Sequence, residues 1–519
     1  MSQWHPSRRM FLKTGLALTA LANNGTAADE GLKQPDILVV MPDQMRGDCL
    51  SAVEHPAVRT PHIDKLAEEG VLFRRAYTPV PSCIPARYAY LTGMSPQASG
   101  VVGYTRTRVT RDTMPQLFRD AGYLTALVGR SMHQENTDEE LGYEQVLQGS
   151  AWSIRQDDYR RYLEAKVTPD TPLGRVLHND GFRGMVEAMG LTYNHWQAAP
   201  WPFEEAWHPI NWIARESQQL VEDAATDTPL FLTMSFYAPH PPLFPAKRFF
   251  DAYMQQDLPD PAKGDWVSWD ELNLPPGSHG GSRVRLEGET LRRAQAGYYG
   301  LIEQIDDAMA PVIAAFKARS EAAGRPWIIV FSSEHGEMLG DHGYFRKCEP
   351  YEGSANVPFI IAASEEMACR RGMRSQAPVS LQDVLPTLAE LAGIATPDEV
   401  DGLSLASYLR GETPQVRPWL HFEHSPAYSD EQAFHALTDG QYKYIWRTGT
   451  GEEQLFDLNQ DPMEERDLTR VSANAYPERV AQWRERLIKR LESRPENFSN
   501  GKQLIPGQPY AAHQPGAQP

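Results

Sequence analysis

"DILVVMPDQ", residues 36 to 44, decides how the rest of the chain is read. Ile37 to Met41 is a continuous apolar run, and Asp43 and Gln44 follow it at once. A strand buried on one face alternates apolar and polar residues; an unbroken run of this length suits a strand buried on both faces. Three further stretches have the same form. "GYLTALVGRSMH" is apolar from Leu124 to Val128 and then gives Arg130 and His133. "PLFLTMSFYAPH" runs from Leu230 to Tyr237 and then gives His240, and "PWIIVFSSEHG" runs from Trp327 to Phe331 and then gives Glu334 and His335. Helical segments lie between them: "PHIDKLAEEG", with Ile63 and Leu66 on one face and Gly70 as its stop, and a long one from about 289 to 323. The expected fold is α/β, a large, mostly parallel sheet sandwiched by helices. Open α/β sheets bind ligands beyond the carboxyl ends of their strands. The polar residues named above would converge there, although hundreds of residues separate them.

Length and composition set the frame. The 519 residues suffice for a large core and, on length alone, for two or three domains. A hydrophobic share of 41% with 23% charged residues is that of an ordinary soluble globular protein. The net charge of −18 argues against nucleic acid as a partner. An acidic protein that handles an anionic substrate must gather Arg, Lys, His or a metal in one place. Cys49, Cys83, Cys348 and Cys369 show no close pairing, so neither a zinc site nor a disulfide framework is suggested.

Residues 1–28 read as a twin-arginine signal peptide rather than as fold. "SRRMFLK" is followed by an apolar run from Gly15 to Ala22 and by small residues around Ala27 and Ala28. That run is too short to span a bilayer, and no other stretch is apolar enough for a stable membrane span. The expected route is the Tat translocon, and the expected place the bacterial periplasm or the exterior. Loss of Arg8, Arg9 and Lys13 would make the mature chain more acidic still.

Residues 34–405 form the expected main domain. Within it, 145–225 breaks the strand–helix pattern and holds five of the twelve tryptophans: Trp152, Trp196, Trp201, Trp207 and Trp212. A self-packed insertion is the favoured reading, with sugar-stacking side chains as the other. "LPPGSHGGS", 274–282, reads as a surface loop. After about 405 come short strands with glycine turns at Asp439-Gly440 and Gly449 to Gly451, then an amphipathic helix at roughly 477–491. Residues 406–494 are thus expected to form a smaller antiparallel sheet plus helix. The tail 495–519, rich in Pro, Gly and Gln, is expected to be disordered.

"PSCIPARYAYLTG", 81–93, carries the candidate chemistry. Pro85 suits the first turn of a helix and Gly93 its end, which puts Cys83 just before a helix N-terminus. Free N–H groups and the helix dipole favour an anion there and would depress a thiol pKa. Locally, a reactive group beside an anion site and a structural buried cysteine both remain open.

Cys83-x-Pro85-x-Arg87, followed by Leu91-Thr92-Gly93, resembles the signature of the type I, formylglycine-dependent sulfatases of the alkaline phosphatase superfamily. The resemblance continues in the family's order through "PDILVVMPDQMRGD", "TPHIDKLAEEGVLFRRAYT", "GYLTALVGRSMH", "SFYAPHPP", "SSEHGEMLGDHGYFRKCEPYEGSANVPFI" and "LQDVLPTLAELAGI". It implies an alkaline-phosphatase-like fold and hydrolysis of sulfate esters. It also implies conversion of Cys83 to Cα-formylglycine by a formylglycine-generating or anaerobic sulfatase-maturating enzyme. Asp43, Gln44, Glu334 and His335 match positions that, with residue 83, surround one divalent cation, calcium first and magnesium second. Oxygen ligands suit such a hard cation, and His335 is its less typical member. Arg87 would hold the hydrated aldehyde. Arg130 and His133 match a Lys and a His of the family; His240 and Lys347 match residues that contact sulfate and assist the leaving oxygen. Glu334 departs by one methylene from the usual Asp, Gln44 is neutral, and Arg130 stands for Lys with an extra residue before His133. Three functions follow: hydrolysis of a sulfated carbohydrate or small molecule, hydrolysis of a phosphonate monoester or phosphodiester by the same apparatus, and binding of sulfated glycans without cleavage.

Overall fold

Every residue of strand β1 (Asp36–Asp43) is buried, and its side chains alternate between two cores. Ile37, Val39 and Met41 pack with Ile84 and Tyr88 of helix Cys83–Thr92 and with Leu385 and Leu388 of helix Val384–Leu391. Leu38 and Val40 face the other way, into a core with Trp212 and Ile213 of helix Pro209–Asp223 and Ile302 and Ile305 of the long helix Gly288–Ala323. The apolar run is unbroken because helices cover both faces.

The computed structural model describes residues 33–130, 136–149, 157–191, 196–272, 283–413, 416–471 and 476–514. The export segment, His133, Trp152 and the loop 274–282 lie outside them. From Lys33 onward the described residues form one compact unit.

The other strands are β2 (Gly70–Phe73), β3 (Ala76–Tyr77), β4 (Leu124–Gly129), β5 (Gln145–Gln148), β6 (Leu230–Pro239), β7 (Trp327–Ser332), β8 (Phe359–Ala363), β9 (Met373–Ser375), β10 (Val379–Ser380), β11 (Leu420–His424), β12 (Phe434–Thr438), β13 (Tyr442–Arg447) and β14 (Glu453–Asp457). The main sheet has eight strands in the order β5-β4-β6-β1-β7-β8-β2-β9, and only β8 runs against its neighbours. The four apolar runs are therefore four adjacent strands, β4, β6, β1 and β7. Their polar endings share one rim of the sheet: Asp43 sits across from Pro239, and Gly129 from Ser235. Helix Pro61–Glu68 stops one residue before Gly70, which opens β2 rather than capping the helix.

The four described tryptophans of the insertion serve packing. Trp196, Trp201 and Trp212 are buried in the main core, and Trp207 packs against it. The second sheet is an antiparallel meander, β11-β12-β13-β14, with turns at Gly440 (φ 90°) and Gly451 (φ 77°) where left-handed backbone favours glycine. Helix Pro477–Leu491 covers it through Trp483, Leu487 and Leu491.

The tail corrects the expectation of disorder. Residues 495–514 fold back on the meander, with Phe498 fully buried and Tyr510 nearly so. Polar composition suggested a free tail, but two aromatic anchors and a buried ion pair outweigh the ordering entropy. In that pair Arg494 clamps both oxygens of Glu423 at 2.8 and 2.7 Å, and the Tyr510 hydroxyl donates to the same carboxylate. His421 and His435 adjoin Glu423, one ligand atom of each lying within 4.8 Å of the others. The guanidinium already supplies the positive charge that a cation would bring there.

One buried carboxyl makes the fold pH-sensitive. Asp306, in the long helix, accepts N–H bonds from His62 (3.1 Å) and Ile63 (2.7 Å) at the start of helix Pro61–Glu68. Burial pushes its pKa up to about 7. The native state thus favours the neutral form, so this group's contribution is full below the unfolded aspartate value and is lost as pH rises through 7. Asp306→Asn keeps an acceptor oxygen and cannot ionise. It should match the native chain near pH 4 and exceed it by on the order of 2 kcal/mol at pH 8. Thermal unfolding at the two pH values measures this; equal stability at pH 8 would contradict it.

Candidate active site

Cys83 is the first residue of helix Cys83–Thr92, and Gly93 closes that helix in a left-handed conformation (φ 67°). Ser82 precedes it in extended backbone, and its hydroxyl donates to His424 Nε2 at 2.7 Å instead of capping the helix. The roles follow from the other ring nitrogen: His424 Nδ1 bonds the Ser425 carbonyl, which can only accept, so Nε2 is bare. His424, from the end of β11, thereby holds the residue before the nucleophile position.

Around the Cys83 sulfur stand Lys347 and His335. Lys347 Nζ donates to Sγ at 3.2 Å and to Gln44 Oε1 at 2.7 Å. His335 Nε2 lies 3.2 Å from Sγ. Its Nδ1 donates to the Gly336 carbonyl at 2.9 Å, so Nε2 presents a lone pair. Burial and the Lys347 charge hold this imidazole near a pKa of about 4, hence neutral. Gln44 adopts left-handed backbone (φ 66°), strain that turns its side chain inward, and its amide donates to Glu337.

Two buried ion pairs complete the site. Arg130 bonds Asp43 Oδ2, and Arg87 Nε bonds Glu334 Oε2. Arg87 Nη1 also reaches Ser235 Oγ at 3.4 Å. The extra methylene of Glu334 lets one oxygen meet Arg87 while the other stays near His335 Nε2, at 3.3 Å. Burial opposes ionisation of Glu334, but the positive charges of Arg87 and Arg130 hold it well below the usual carboxylate range.

The remaining oxygens show what the site can hold. Asp43 Oδ1 and Glu334 Oε1 are buried without a hydrogen-bond partner. Asp43, Cys83, Glu334 and His335 each present one ligand atom, all within 4.8 Å of one another. Unpaired buried carboxylate oxygens are costly, and a divalent cation satisfies both while the histidine lone pair adds a third donor. The residues therefore fit a metal ion. Gln44 Oε1 accepts from Lys347, which leaves it one lone pair.

One expectation fails here. A thiol at a helix N-terminus was expected to be acidified, but Cys83 is pushed up to about 12. Burial and the Glu334 charge outweigh Lys347 and Arg87. The unmodified sulfur is a poor nucleophile.

His240 lies on the same rim, its ring 4.6 Å from that of Tyr237, and the Arg130 guanidinium stands 4.7 Å from the centre of the same Tyr237 ring. Burial, Lys347 and Arg130 hold it well below the usual histidine range. Its Nδ1 donates to the Pro241 carbonyl at 2.8 Å, which leaves Nε2 bare. Sequence reasoning brought ten residues to this site, and the structure places all but His133 among its described residues. It missed His424 and Glu337. Glu337 follows Glu334 by three residues and was within reach of a spacing argument. His424 is 342 residues from its partner and carried no local signal.

The chain matches the family model described as Sulfatase over residues 35–394 and that described as N-sulphoglucosamine sulphohydrolase, C-terminal over 340–493. It is 35% identical over 486 residues to an arylsulfatase of Clostridium perfringens, covering 92% of this chain and 98% of that one. A phosphonate monoester hydrolase of Agrobacterium radiobacter shares the fold with a TM-score of 0.70 at 24% identity, covering 88% of this chain and 95% of that one. A protein solved in complex with its substrate, D-glucosamine-2-N,6-O-disulfate, does so with a TM-score of 0.68 at 18% identity, covering 89% and 98%.

Proposed function

Because the chain belongs to the sulfatase family and is a sulfuric ester hydrolase, we propose that it removes sulfate from a sulfated carbohydrate, with formylglycine made from Cys83 as nucleophile. The observation that carries this reading is the nucleophile position itself. Cys83 stands at a helix N-terminus with Lys347 Nζ and His335 Nε2 both 3.2 Å from its sulfur, beside two carboxylate oxygens that lack partners. A thiol held near 12 cannot serve as it stands, which favours conversion before use.

Asp43, Glu334 and His335, with Gln44, would hold the divalent cation, calcium in preference to magnesium. Bound there, it would draw negative charge off the sulfate oxygens and favour ionisation of a hydroxyl at position 83. The converted residue supplies a hydrated aldehyde, one hydroxyl of which attacks sulfur while the other later expels the sulfate. Arg87, fixed by Glu334, orients that hydrate. Lys347 and Arg130 face the charge that builds on the sulfate oxygens. His240 must take up a proton on Nε2 before it can give one to the leaving oxygen. An anionic ester entering beside Lys347 and Arg130 offsets the two charges that keep it neutral. His133 would take the last proton. Export through the Tat translocon to the periplasm belongs to the same reading. It is supported by "SRRMFLK" and by the absence, among the described residues, of any helix long and apolar enough to cross a membrane.

The role of His240 is tested by the leaving group. A sugar alkoxide needs a proton, a nitrophenolate does not. His240→Asn should lose roughly 10²–10⁴-fold in kcat/KM on a monosaccharide sulfate and far less on nitrophenyl sulfate. Equal losses on both would remove His240 as the acid. An aryl phosphonate turned over faster than any sulfate ester would move the substrate to phosphorus.

A further inference from the structure

Beyond the sulfate pocket, one arginine has a charge that the site does not use. Arg87 and Arg130 are each paired with a carboxylate. Arg346, next to Lys347, is not: among the described residues its side chain forms no ion pair. Its backbone is left-handed (φ 74°), held by its N–H on Glu337 and by its carbonyl, which accepts from the Met338 N–H at 2.7 Å. That bend lets Lys347 reach Cys83 while Arg346 sends its guanidinium over the Tyr428 ring, 4.8 Å from its centre.

Tyr104 is 49% exposed, one of two large apolar side chains so open among the described residues. Its loop is tied to the nucleophile through β11: the Ser425 N–H donates to the Val102 carbonyl at 2.9 Å, and His424 holds Ser82. Arg346, Cys83 and Glu334 all lie within electrostatic reach of the Tyr104 phenol. The tail holds the loop from outside. Val102 N–H donates to the Ala512 carbonyl (2.9 Å), Gln514 N–H to the Gly100 carbonyl (2.8 Å), and Thr107 Oγ1 meets His513 Nε2 (2.9 Å). The tail is itself locked by Tyr510 and Arg494 on Glu423. A Cβ on Gly103 would fall 1.9 Å from Ser425 Oγ and 3.0 Å from the Ala512 backbone. The loop has little room to shift.

The geometry points to a leaving-group subsite built from Tyr104 and Arg346, which takes a sugar ring carrying a second anionic group, with residues 498–514 as the strap that positions Tyr104. The ring stacks on the phenol, and the free guanidinium meets the second sulfate or carboxylate with two donors. This rests on the sulfatase reading of Cys83.

The test compares glucosamine 2-N,6-O-disulfate with glucosamine 6-O-sulfate on the full, matured chain. Arg346→Ala should reduce the ratio of the two kcat/KM values by about tenfold, mainly through KM. Tyr104→Ala should raise KM for both sugars relative to nitrophenyl sulfate. An unchanged ratio in Arg346→Ala, or parallel losses on all esters, overturns the subsite. Calorimetric binding of the two sugars to a Cys83→Ala chain reads the subsite without turnover. If the native protein cleaves no sulfate ester yet Cys83→Ala still prefers the disulfated sugar through Arg346, the sulfatase reading of Cys83 fails and the subsite stands. If binding shows no such preference, the subsite falls on its own.

Discussion

Cys83→Ala is expected to abolish turnover, with a loss on the order of 10⁴-fold in kcat, while the fold persists. The side chain is small and buried, and its removal leaves Lys347 bonded to Gln44 and His335 bonded to Gly336. The melting temperature should therefore stay within a few degrees of the native chain, about 1 kcal/mol or less. Cys83→Ser should be nearly as inactive in a host that matures only cysteine. Its hydroxyl would sit in the same contacts without becoming an aldehyde. Mass analysis of the tryptic peptide 76–87 from the active protein should show an aldehyde in place of the thiol. Full turnover by Cys83→Ala, or an intact thiol in fully active protein, would end the formylglycine reading.

The second large effect concerns the two unpaired carboxylate oxygens. A cation that binds Asp43 Oδ1 and Glu334 Oε1 in the folded state alone stabilises that state, by about 2.7 kcal/mol at a hundredfold excess over Kd. Calcium should raise the melting temperature, and a chelator should reverse the rise and stop turnover. Asp43→Asn should take bound metal from one ion per chain to none and lower kcat by on the order of 10³-fold. It also strips the buried Arg130 of its countercharge, a cost of about 3 kcal/mol. An Asp43→Asn chain that retains stoichiometric metal and the same thermal response to calcium would show that the ion sits elsewhere.

Much of this was legible in the chain. β1, β4, β6 and β7 announce themselves because a strand covered on both faces needs apolar residues at every position, a local property. That their endings meet follows from parallel topology, which puts every strand's carboxyl end on one rim. The antiparallel meander was readable from its glycine turns. What escaped depends on distance in three dimensions. The tail looked disordered because its average is polar, but Phe498 and Tyr510 act singly, in places its composition does not name. The Cys83 thiol looked acidic because its helix was visible and its burial beside Glu334 was not.

By itself, then, the amino-acid sequence determined four central strands of the sheet and the polar residues that follow them, because patterning and short motifs are written along the chain. Only the tertiary structure decided which charges pair and which remain free. Asp43 goes to Arg130, Glu334 to Arg87, Gln44 to Lys347 and Ser82 to His424, while two carboxylate oxygens are left without a partner and, among the described residues, Arg346 without an ion pair. Electrostatic partnership falls with distance through space and is blind to separation along the chain.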